Sequence, residues 1–226
     1  ICANYLMVRK IRLIIHEGRS QKINEKLKTA ISILNYPKVC FLIAWGLWYI
    51  VYTPGNGMND TINCLMSTTT DNQPILYQMV IYYGMKFFLY LTEDATWAYG
   101  CLVIFQMFFC MEIFSWLIRE LARIGINQRV RYGLVIYYSL VPAVADYSIT
   151  LVKDTLFSSI LAIMIITMYQ ITDTGGKILN DIGVLIRMTL VCIAISATRN
   201  NGGLVCICTF IVLLFLKLDN KRKIFF

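Results

Sequence analysis

Four short polar clusters interrupt an otherwise apolar chain of 226 residues, and they carry groups able to handle protons or phosphates. The first is Pro54-Gly55-Asn56-Gly57-Met58-Asn59-Asp60-Thr61, where Asp60 is the carboxylate. The second is Asp71-Asn72-Gln73-Pro74. The third holds Asp146 and then Thr150-Leu151-Val152-Lys153-Asp154, and the fourth is Arg199-Asn200-Asn201-Gly202-Gly203. Aspartates offer a general base, and Lys153 and Arg199 offer cations for a phosphate. Ionisable groups at membrane depth are costly and face a cavity or a partner. Asp60, Asp154, Lys153 and Arg199 gathered at one end of a helix bundle would therefore form a mixed-charge pocket, with Asn59, Gln73 and Asn200 as substrate-binding amides beside it. Asp60 and Asp154 also present hard oxygen ligands that suit Mg²⁺ or Mn²⁺, although the pattern requires neither. The competing reading leaves each of these residues in a solvated loop.

Composition says what surrounds the clusters. Hydrophobic residues make up 58% of the chain and charged residues 15%, with four prolines, against about 45–50% and about 25% in soluble domains. So few charges cannot cover a water-facing surface. Disorder, a collagen-like chain and a nucleic-acid-binding domain are excluded, even with a pI of 9.1. The eight cysteines lie mostly inside apolar runs, which argues against a disulfide framework. Cys206 and Cys208, two residues apart, would leave a helix on nearly opposite sides, a poor metal geometry. His16 has neither triad nor ligand partners nearby. Glu112 and Arg187 fall inside apolar runs, and Glu112 is expected to pair with a polar group of a neighbouring helix.

The apolar runs are 36–53, 75–91, 97–118, 133–149, 155–172, 183–198 and 203–218, each near the roughly 17–25 residues that cross a bilayer. If all seven spanned, Arg119, Arg123, Arg129 and Arg131 would lie opposite the basic N-terminus, against the positive-inside rule. The 75–91 run starts at Pro74 and is interrupted by Gln78 and Lys86, so it is read as interfacial or re-entrant. About six spans remain, and both termini are cytoplasmic. Seventeen of the 21 basic residues then lie inside; Lys86, Lys153 and Arg199 lie outside, and Arg187 falls within a helix. Trp45, Trp48, Tyr49, Tyr52, Trp97 and Trp116 sit where interfacial aromatic belts form.

The expected fold is thus an all-α, polytopic transmembrane helix bundle. Residues 1–35 form a basic amphipathic cytoplasmic arm on an anionic membrane face. Residues 36–218 form the transmembrane domain, with an outer loop at 54–96, and 219–226 a basic cytoplasmic tail. The chain begins at Ile1 rather than Met, so a processed, trimmed or partial product is expected.

The polar pieces resemble, in order, those of the GT-C superfamily of polytopic membrane glycosyltransferases, which includes protein O-mannosyltransferases and aminoarabinose transferases. Within it they look most like an uncharacterised branch from Gram-positive bacteria. The matching pieces are Pro54-Gly55 through Asp60-Thr61-Ile62-Asn63, then Asp71-Asn72-Gln73-Pro74-Ile75-Leu76-Tyr77, Gln106, Thr150 to Asp154-Thr155-Leu156-Phe157, and Arg199-Asn200-Asn201-Gly202. They cover roughly residues 39–218. The resemblance implies an enzyme of the bacterial plasma membrane that moves a sugar from a polyprenyl-phosphate donor, with inversion, at the extracytoplasmic face. It implies Asp60 as catalytic acid/base, Asp154 as a second site residue, and Lys153 and Arg199 as partners of the donor phosphate. It also implies that 75–91 is a juxtamembrane helix on the outer face. Many relatives read His-Pro-Pro where this chain has Gln73-Pro74-Ile75, so any role of that imidazole is absent. Relatives usually continue with further helices, so this chain corresponds to their N-terminal part, and a missing C-terminal part or a partner subunit is expected. Two rival readings are a transporter or channel using Lys86, Glu112 and Arg187, and a non-catalytic accessory membrane module.

Overall fold

A computed structural model describes residues 34–66 and 73–215. The arm expected at 1–35 lies almost wholly outside the described residues, as do the tail at 219–226 and the pair Asp71 and Asn72. The described chain is all-α apart from one two-residue strand pair. Its helices are α1 (Pro37–Val51), α2 (Asn59–Met66), α3 (Ile75–Thr92), α4 (Ala95–Arg123), α5 (Gln128–Leu140), α6 (Pro142–Ile149), α7 (Lys153–Asp173), α8 (Ile182–Thr198) and α9 (Gly202–Phe215). Strands β1 (Asn56–Gly57) and β2 (Thr150–Leu151) pair in parallel, with Asn56 opposite Thr150 and Gly57 opposite Leu151.

Local chemistry sets the helix boundaries. At the α3–α4 corner Glu93 is left-handed, with φ 56°, and Asp94 then accepts from the backbone N–H groups of Thr96 and Trp97. That side chain satisfies two of the amides a helix start leaves orphaned. After α4, Gly125 turns the chain at φ 89° and Asn127 caps α5 through the N–H of Arg129. Asp181 caps α8 through Gly183. The apolar run at 133–149 is broken where Val141 is extended and Pro142 opens α6. A proline lacks the N–H a continuous helix would use there, so this stretch is two helices rather than one.

Among the described residues two helices are long and apolar enough to cross a membrane, α4 with 29 residues and α7 with 21. At about 1.5 Å per residue they reach roughly 43 and 31 Å, against a hydrocarbon core of about 30 Å. Helices α1, α8 and α9 are apolar but shorter, at 10–17 residues. The 18-residue α3 packs along α4 and is not among the long apolar pair.

The main core lies between α1, α3, α4, α5 and α6. It holds Phe41, Trp45, Tyr77, Ile81, Leu102, Val103, Cys110, Val135 and Ile149. Trp45 corrects one expectation. It is 0% exposed, stacked on Phe41 with ring centres 5.1 Å apart and edge-on to Phe114, and its indole N–H donates to the Tyr138 carbonyl at 3.0 Å. A tryptophan with its polar handle satisfied inside is a core anchor, not a belt residue. Trp97 is well exposed at the start of α4. A thinner core of Phe157, Ile160, Met164, Val191 and Ile195 joins α7 to α8. Outward-facing apolar side chains run along α1 (Leu47, Ile50), α4 (Phe105), α8 (Ile186, Leu190, Ile193) and α9 (Leu204, Ile207).

Two glycines permit close approaches. Gly55 sits at φ +112°, and a Cβ there would lie 2.8 Å from Val103 Cγ2 and 2.9 Å from the Ile149 carbonyl. At Gly202 a Cβ would fall 2.0 Å from the Ile195 carbonyl, so only glycine lets α9 leave α8 at this angle.

Candidate functional site

All four polar clusters contribute residues to one set of direct contacts at one end of the bundle, called the outer end after the expected topology. The strand pair brings the 54–61 segment to the 150–154 segment. Across it Asn56 donates through Nδ2 to Asp146 Oδ1 at 2.7 Å, and Tyr99 Oη donates to the Asn56 carbonyl at 2.7 Å. Thr61 Oγ1 donates to the Leu151 carbonyl and lies 3.0 Å from Tyr77 Oη, which reaches the same carbonyl at 3.1 Å. Gln106 donates from Nε2 to the Thr150 carbonyl at 2.7 Å. Such buried polar contacts specify one arrangement, because each lost partner would strand a desolvated group.

The second cluster joins through Gln73, whose Oε1 accepts from Lys153 Nζ at 2.8 Å. The fourth joins through Arg199, whose Nη1 lies 3.4 Å from Asp154 Oδ1. Those two side chains are 45% and 51% exposed, so the pair is partly solvated and weakly held. The guanidinium also lies over the Phe157 ring, 5.2 Å from its centre, a cation–π contact that orients it. Asp154 stands in the first turn of α7, where the helix dipole favours a negative charge.

Asp154 and Arg199 are the charged lining of a groove of about 700 Å³, whose other walls include Tyr137, Tyr147, Thr155, Phe157 and Ser158. Lys153, Gln73, Asn59 and Asn200 do not line it. Asp60 is the second residue of α2. Its neighbour Thr61 is fixed to Leu151, two residues before Lys153, so the Asp60 backbone belongs to the same end. Asn59 is exposed at the start of α2, and Asn200 is exposed in the turn before α9. Structure thus joins Lys153 with Gln73 and Asp154 with Arg199, and adds an aromatic and hydroxyl lining that the sequence reading did not select. Ser158 was legible, one helical turn beyond Asp154 on the same face. Tyr137 and Tyr147 carried no signal to set them apart from ordinary packing aromatics.

Three or more His, Cys, Asp or Glu side chains grouped as metal ligands do not occur among the described residues. Asp154 faces a guanidinium rather than a second carboxylate.

The inner end is built differently. Glu120, 3% exposed, accepts from Arg123 Nη1 at 2.6 Å and through Oε2 from Gln170 Nε2 at 3.1 Å. Gln170 Oε1 in turn accepts from Arg187 Nη2 at 2.8 Å. Glu112 pairs with Lys38 at 2.6 Å, as expected of a carboxylate within an apolar run.

Residues 65–225 match the profile of a protein family described as a family of unknown function (DUF6020). The match includes Gln73, Lys153, Asp154, Arg199 and Asn200 and begins after Asp60. No curated protein and no solved structure matches the chain.

Proposed function

The chain belongs to this family of unknown function (DUF6020), and we propose that it is a GT-C-like integral membrane glycosyltransferase working at its outer end. The reading places about six spans in a bacterial plasma membrane, with α5 and α6 together as one of them, α3 juxtamembrane on the outer face and both termini cytoplasmic. The outward apolar side chains of α1, α4, α8 and α9 support a lipid-facing bundle, since soluble surfaces rarely carry so many.

The observation that carries the proposal is the meeting of sequence-remote polar segments around Lys153, Asp154 and Arg199. A donor with a polyprenyl tail must keep that tail in the bilayer, so its phosphate arrives where a membrane-edge groove can meet it. Arg199, held over Phe157, and Lys153 would stabilise the phosphate as it leaves. The acceptor's hydroxyl oxygen attacks the anomeric carbon, forming the new glycosidic bond. The bond from that carbon to the phosphate oxygen breaks with its electron pair going to the lipid phosphate, and Asp60 takes the hydroxyl proton. Asp154 holds Arg199 in place between turnovers. No step is routed through a metal. Of the groups a conduit would use, Lys86 lies over the Tyr82 ring, Glu112 pairs with Lys38 and Arg187 donates one Nη to Gln170, and these partners support transfer over transport.

The test is transfer from a polyprenyl-phosphate sugar by the purified full-length protein and its Asp60→Asn variant. Loss of turnover with donor binding kept is expected. Undiminished turnover in the variant would contradict the assignment.

A further inference from the structure

A second cleft, of about 660 Å³, lies between α4, α7 and α8, its charged groups set toward the inner end. Phe109, Trp116, Ile160, Ile163 and Leu190 form an apolar wall, and Glu112, Arg119 and Arg187 are its charged lining. The acids near it are already engaged. Glu112 is neutralised by Lys38, and Glu120 is shared between Arg123 and Gln170. Among the described residues no carboxylate pairs with Arg119 or Arg187. Arg187 donates one Nη to Gln170, which leaves its other Nη for an acceptor in the cleft, and a planar fork of donors fits phosphate oxygens.

We propose that this cleft binds the phosphate of an anionic phospholipid, with Arg119 and Arg187 on the headgroup and acyl chain against Phe109, Ile160 and Leu190. Basic pockets between spans on the cytoplasmic side suit such headgroups, and the apolar wall distinguishes a lipid from a free anion. The inference rests on the membrane placement proposed above. It is independent of the transfer chemistry, since the cleft shares no residue with the Asp154–Arg199 groove.

The experiment is native mass spectrometry of the full-length protein with phosphatidylglycerol or phosphatidylcholine of identical acyl chains, and with inorganic phosphate as competitor. The wild type is expected to retain phosphatidylglycerol by about tenfold or more over phosphatidylcholine, as two surface-level arginine contacts would give. The double variant Arg119→Gln/Arg187→Gln is expected to lose that preference. Leu190→Trp, which fills the cleft and keeps both charges, is expected to weaken retention of phosphatidylglycerol and supplies the arm in which the arginine network is intact. Equal retention of the two lipids by the wild type, or a preference that survives the double variant, overturns the proposal. So does full displacement by millimolar inorganic phosphate, which would make the ligand a free anion. Carbonate extraction separates the failures: a chain released from membranes overturns the membrane placement, whereas a retained chain without lipid preference overturns only the lipid site.

Discussion

The two ends of the bundle carry similar residue types and use them in opposite ways. At the inner end Glu120 is buried and shared between Arg123 and Gln170, and Gln170 passes the connection on to Arg187. At the outer end the opposite charges Asp154 and Arg199 stand 3.4 Å apart, half exposed on a groove. Buried Glu120 fixes α4 against α7, because removing its carboxylate would strand the Gln170 amide that donates to it. A solvated pair on a groove rim contributes little to stability and is free to exchange its partner for a ligand. Charge alone therefore does not mark a site; charge that is positioned and still accessible does.

That contrast is broken or sharpened by five substitutions, in descending order of effect. Asp60→Asn is expected to lower transfer turnover about 10³-fold, within the range for loss of a positioned general base, as read by product formation at saturating donor. Arg199→Gln is expected to cost about 10² in kcat/KM for the lipid donor, with a thermal midpoint close to wild type because the pair it leaves is half exposed. Glu120→Ala should do the reverse. It leaves Gln170 and Arg123 without their buried acceptor and is expected to destabilise by about 2–3 kcal/mol, read from thermal or denaturant unfolding in detergent. Gly55→Ala introduces a Cβ where φ is +112° and Val103 stands 2.8 Å away; about 1–2 kcal/mol of destabilisation is expected. Lys38→Met removes an ion pair whose side chains are 43% and 54% exposed. It is expected to shift stability by less than about 1 kcal/mol, and a larger shift would show the inner network extending to α1.

The sequence made the helical class and the order of the polar clusters readable, because apolar runs and polar interruptions are one-dimensional signals. The β1–β2 pairing was not, since two residues on each side carry no alternation pattern and the pairing depends on segments 94 residues apart in the chain. Trp45 was misread as interfacial, because its place among Trp48, Tyr49 and Tyr52 says nothing about the Tyr138 carbonyl that satisfies its indole. Among the site residues, Lys153, Asp154 and Arg199 announced themselves as charges in apolar surroundings. Gln73 was also selected from the sequence, but its pairing with Lys153, the ring of Phe157 under Arg199 and the groove residues Tyr137 and Tyr147 became recognisable only once the helices were assembled.

The most direct test of the difference between the two ends is transfer activity per folded molecule, measured side by side for Arg199→Gln and Glu120→Gln in the full-length protein in lipid vesicles. Activity of Arg199→Gln about 10²-fold below wild type, with Glu120→Gln within a factor of about two once folded protein is counted, is the predicted result. Equal losses at the two ends, or full activity in Arg199→Gln, would contradict the account.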